Sequence, residues 1–145
     1  MSDIHIDDFF KDAAVALDRL YSTFPRPLTL FVEDISGPAK TDEFGLPDDR
    51  YLACFAALLW LGEERYLRYG DTIRQEAIDQ AVLTARCFNV LTMPAATGAD
   101  DDGAVPASVR ALERSHIGVL RAALESGSST RTREAMLPIM ALMTG

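Results

Sequence analysis

Residues 51–62 read Tyr-Leu-Ala-Cys-Phe-Ala-Ala-Leu-Leu-Trp-Leu-Gly and leave no polar face for a helix to turn toward water. Asp48 and Asp49 stand just before this run, where short acidic side chains cap helices and meet the positive end of the dipole. The stretch therefore predicts a helix running to about Arg65. A helix that is apolar all round is buried on all sides. A chain of 145 residues is one domain, or one domain with an appendage. In so small a body, part of that burial calls for a partner subunit, with Tyr51, Phe55 and Trp60 as contact residues. The run is too short for a membrane span, which needs ~20 apolar residues.

What packs around this helix follows from the periodicity on either side. Ile6, Phe9, Phe10, Ala13, Leu17, Leu20, Tyr21 and Phe24 form a helical stripe, predicting a helix over 7–23 with Asp7 or Asp8 at its start. Phe24-Pro-Arg-Pro27 ends it, because each proline drives the residue before it out of helical geometry. Leu28 to Ile35 is rich in β-branched and aromatic residues and reads as a strand, with a loop over 36–48. Tyr66 to Tyr69, a turn at Gly70-Asp71 and Ala77 to Leu83 read as a hairpin. A single helix from Thr72 also fits Ile73, Ala77, Ala81, Ala85 and Phe88, but the hairpin is favoured. Thr84 then caps a short helix from Ala85 to Met93, stopped by Pro94.

The remainder is expected to extend that domain. Residues 94–104 carry Asp100, Asp101, Asp102 and two glycines, and predict a flexible acidic linker. A helix follows from about Pro106 to Glu125, closed by Gly127, and a last segment from Thr130 to Met143 is kinked at Pro138. The class is α+β and mostly helical: a domain over 1–93, the linker 94–104, and a C-terminal helical extension over 105–145.

Two short motifs give the first domain a likeness. Leu58-Leu-Trp-Leu-Gly-Glu-Glu-Arg-Tyr-Leu-Arg68 is similar to the exit of the third helix in bacterial winged-helix proteins, and Leu83, Thr84 and Arg86 match the segment after their wing. Cys87 stands where those proteins usually have glycine. The order helix, strand, helix, strand, strand, helix over 7–93 resembles a diverged winged-helix domain with a small β-hairpin wing. The resemblance implies a recognition helix in the DNA major groove. Here that position holds Ala53, Cys54, Ala56, Ala57 and Leu58, and none of these side chains can read a base edge.

Charge points the same way. The net charge is −8, made of −10 over residues 1–104 and +2 over 105–145. The body repels phosphate, so a nucleic-acid role has to be local. Its candidates are the hairpin and Arg110, Arg114 and Arg121, which spacings of four and seven place on one face of a continuous helix. The ordinary reading of those arginines is a solvated face; the functional one is a basic stripe that docks on an acidic surface. Met136 and Met140 belong to an apolar tail that must be covered, by its own domain or by a partner.

The chemistry-bearing residues are few. Glu113 and His116 form one Glu-x-x-His pair, half of a di-iron carboxylate site, which needs a second pair and two more glutamates. His5 has no such partner, so His116 reads as an ordinary surface histidine. A nucleophile at Ser115 or Cys87 lacks an orienting third group, and no phosphate-cradling glycine motif occurs. Cys54 and Cys87 read as small core residues. Neither is in a CxxC pair, and no signal-peptide pattern is apparent, which favours a reduced, cytoplasmic protein. The expectation is a non-catalytic interaction module without metal or cofactor, a homodimer or the mate of another protein. The alternative is a DNA-associated regulator using the wing and the basic C-terminal helix.

Overall fold

The apolar stripe of the N-terminal segment becomes the spine of the molecule. The computed structural model describes residues 4–95 and 106–144. Helix α1 (Ile4–Thr23) buries Phe10, Ala13, Ala14, Ala16, Leu17 and Leu20. It begins three residues before the expected start, so Asp7 lies within its first turn. Ion pairs to later helices engage the neighbouring acids: Asp7 with Arg133, and Asp8 with Arg50.

Strand β1 (Leu28–Phe31) is half the length expected, and helix α2 (Val32–Ser36) takes up the rest. Glu33 and Asp34 sit in the first turn of α2, and Ser36 Oγ donates to the Val32 carbonyl. Gly37 closes the turn with φ +92°, a conformation that favours glycine. Helix α3 (Asp49–Glu63) follows the loop. Asp48 occupies its N-cap, but its carboxylate accepts the Lys40 amide instead of an α3 amide.

Three short segments share one long strand. Strand β4 (Ala77–Leu83) is central, antiparallel to β1 on one edge and to β2 (Leu67–Arg68) and β3 (Asp71–Ile73) end to end on the other. The hairpin reading therefore holds over its single-helix rival, with the reversal at 74–76 instead of Gly70-Asp71. A register shift between Leu28 and Leu30 lies opposite Gln80, which has φ +55°. This is the geometry of a β-bulge. Helix α4 (Ala85–Thr92) begins at Thr84, whose hydroxyl accepts the Cys87 amide, as expected.

The linker expected over 94–104 lies outside the described residues apart from Pro94 and Ala95. The single helix expected over 106–125 is two: α5 (Ala107–Arg114) and α6 (His116–Ser126). The chain breaks at Ser115 because Met93-Pro94-Ala95 crosses it. The His116 amide donates to Met93, and the Ala95 amide to Arg114. Ser115 then caps α6 by accepting the Gly118 amide. Gly127, with φ +71°, ends α6 as expected. Helix α7 (Ser129–Met143) contains Pro138 and packs on α1, α6 and α4.

One core joins all of this. Leu17, Leu58, Leu61, Leu91, Ile117, Leu120, Met136 and Ile139 are buried in it, so α6 and α7 cover their own chain. The fold is mostly helical α+β with a small antiparallel sheet. No helix among the described residues is long and apolar enough to cross a membrane.

Candidate functional site

The helix without a polar face is not buried on all sides. Tyr51, Cys54, Ala57, Leu58 and Leu61 point inward, while Ala53 and Ala56 are exposed and Trp60 is half-buried. The reason is geometric: α1, α2 and the strands β2 and β4 are the described elements that pack on α3, and they leave the Ala53 and Ala56 positions exposed. Ala53, Ala56, Ala57 and Trp60 line a cleft of about 390 Å³ with His5, Ile6, Phe9 and Asp12 from α1. Phe9 meets the Trp60 ring edge-on, with centroids 5.2 Å apart. Ile6 is 38% exposed, so large apolar side chains border a floor of alanines.

Beneath that floor lies an ion pair with no trace in the sequence pattern. Arg50 Nη1 and Nη2 each stand 2.6 Å from an Asp12 carboxylate oxygen, and Arg50 Nε is 3.5 Å from Asp8. Asp12 is 1% exposed. Its hydrogen bonds raise the Arg50 pKa. The two residues are 38 positions apart, so neither helical spacing nor a local motif announces them.

The other residues singled out in the sequence fall into three places. Tyr51 and Met136 are buried in the core, and Phe55 and Met140 are half-buried against it. Arg110 and Arg114 are half-buried on α5, whereas Arg121 lies on α6. The break at Ser115 thus undoes the single basic face that their spacing suggested. Arg121 Nε is 2.6 Å from Asp18, its Nη2 donates to Ser22 Oγ, and its guanidinium lies 4.9 Å from the Tyr21 ring centroid. Its charge binds α6 to α1.

His116 corrects the surface reading given to it: it is 6% exposed. It opens α6 where the Met93–Ala95 crossing covers it, and burial lowers its pKa. Glu113 is exposed on α5, and no group of three or more His, Cys, Asp or Glu among the described residues could hold a metal. Cys54 and Cys87 are buried, and desolvation pushes both thiols up to about 12. Known protein families, curated proteins and solved structures give no match to this chain.

Proposed function

We propose that this chain is a non-catalytic protein-association module that pairs with a second copy of itself through the α1–α3 face. The observation that carries this reading is the exposure of Ala53 and Ala56 between the larger Ile6, Phe9 and Trp60. Alanines let a second backbone approach closely, and the bordering ridge supplies side chains to fill the same recess in a mate. Each copy offers both shapes, which is what a two-fold interface requires. At the centre of the face the Asp12 charge is already met by Arg50, so two copies need not oppose bare carboxylates there.

The scaffold we infer is of the winged-helix type. Its support is the order α1-β1-α2-α3 followed by a hairpin whose last strand pairs with β1. The short α2 supplies the helix before α3 that the sequence pattern hid. In such a scaffold α3 is the element that would enter the major groove. Its exposed positions hold alanine, which cannot donate to or accept from a base edge, and its end carries Glu63 and Glu64. These features support association over the alternative of a DNA-associated regulator, as does the internal bonding of Arg121. A cytoplasmic setting is part of the same proposal, supported by two cysteines that form no disulfide.

Light scattering on the full chain at micromolar concentration tests it. The expected result is a dimer that Ala56→Glu converts to a folded monomer. Trp60, the sole tryptophan, should shift its emission to the red on dissociation. A wild-type monomer overturns the pairing, and salt-sensitive duplex binding by that monomer favours the regulator.

A further inference from the structure

A second cavity, of about 450 Å³, shares no lining residue with the α1–α3 cleft: it is walled by Met93–Ala95, by His116 and Val119 of α6, and by α7. Its α7 wall consists of Glu134, Ala135, Pro138, Ala141 and Leu142. Most of this lining is apolar, and three features break the pattern. His116 is 6% exposed, and among the described residues no hydrogen bond, ion pair or ring contact engages its ring. A ligand seated in the cavity would supply the ring with the partner that the described residues do not. Glu134, an exposed residue of α7, lines the same wall. Pro138, one turn later, has no N–H to donate to the Glu134 carbonyl, which leaves that oxygen without its usual helical donor.

All three groups accept hydrogen bonds. Burial keeps the imidazole in its neutral form, so one ring nitrogen retains a lone pair. The Glu134 carboxylate and carbonyl are acceptors only. An apolar chamber whose lining includes these acceptors suits a ligand whose apolar body ends in donors. A positive charge there gains from the carboxylate, and a negative one is repelled.

We propose that the cavity between the Met93–Ala95 segment, α6 and α7 binds a small apolar molecule carrying a protonated amine, the ammonium donating to His116 and Glu134. This site is separate from the α1–α3 face and stands or falls independently of the pairing proposed there.

Three probes share one apolar body: 2-phenylethylamine, 2-phenylethanol and phenylacetate. Calorimetry, with amide chemical shifts to locate the site, should give affinity in the order amine, alcohol, acid, with at least about tenfold between the first and the last. Glu134→Gln, on an exposed residue, should weaken the amine about tenfold and leave the alcohol nearly unchanged. His116→Leu should weaken both amine and alcohol, and Ala141→Trp should abolish binding by filling the chamber. Equal binding of amine and acid, amine binding that Glu134→Gln leaves untouched, or shifts confined to the α1–α3 cleft would each overturn the proposal. Circular dichroism on each variant separates lost binding from lost folding, and Glu134→Gln keeps the test decisive if His116→Leu does not fold.

Discussion

Arg50 grips the buried carboxylate of Asp12 with both terminal nitrogens at 2.6 Å, fastening the start of α3 to the middle of α1. The two partners are unequally hidden: the Asp12 side chain is 1% exposed, and that of Arg50 is 28% exposed. Removing one member of a buried pair leaves the other charge uncompensated, at a cost of about 3–5 kcal/mol when both are enclosed.

The asymmetry predicts which deletion hurts more. Arg50→Ala strands a carboxylate that is only 1% exposed. Asp12→Leu strands a guanidinium that is partly solvated and keeps Asp8 at 3.5 Å. We expect Arg50→Ala to lose about 2–4 kcal/mol and Asp12→Leu about half of that. Urea unfolding at neutral pH measures both. A larger loss for Asp12→Leu would contradict this account.

Gly118 gives the sharpest steric prediction. A Cβ on it would lie 2.2 Å from the Leu112 carbonyl oxygen and 2.7 Å from that of Glu113. Both are backbone atoms and cannot rotate away. Gly118→Ala must therefore pry α5 from α6, and overpacking of this kind costs about 1–3 kcal/mol or more. Gly127 is the control: nothing lies within 4 Å of its Cβ position, and only its φ of +71° opposes alanine. Gly127→Ala should cost about 1–2 kcal/mol. Thermal unfolding of the two variants, with Gly118→Ala the less stable, checks the order.

The elements that could be read from the sequence are those whose cause is local. The stripe from Ile6 to Phe24 specifies α1, Thr84 specifies the start of α4, and Gly127 specifies the end of α6. The elements that could not be read are those decided by distant chain. Val32 to Ser36 looks like strand by composition, yet the Val32 amide is taken by the Glu76 carbonyl, and the chain coils immediately afterwards. Nothing in residues 106–125 announces a break, because the break is imposed by Met93–Ala95 crossing at Ser115. The same crossing buries His116, which is why its ligand count alone misplaced it on the surface. On α3 the composition correctly indicated an apolar helix, but not that the described residues leave Ala53 and Ala56 exposed.

The thiols supply a third test. Cys87 is raised to about 12 by burial alone, and Cys54 to about 12 by burial first and the Asp12 carboxylate second. The thiolate is the reactive species, so at pH 8 almost none is present in the folded chain. A disulfide reagent should therefore label neither cysteine in native buffer and both in denaturant. Labelling of either within minutes in native buffer would mean that its helix opens readily.

His116 makes stability depend on pH in a definite direction. Burial lowers its pKa below the ordinary value of 6.5 in the folded chain, while the unfolded chain keeps about that ordinary value. Between the two values the unfolded state binds more protons, so stability rises with pH across that window. The contribution is complete above pH 6.5 and is lost as pH falls through 6.5 toward the folded value. Denaturant midpoints from pH 7.5 to about 5.5 should therefore fall in the wild type and fall less steeply in His116→Gln. Identical slopes for wild type and His116→Gln would place the imidazole in contact with water and remove the physical basis of the amine site.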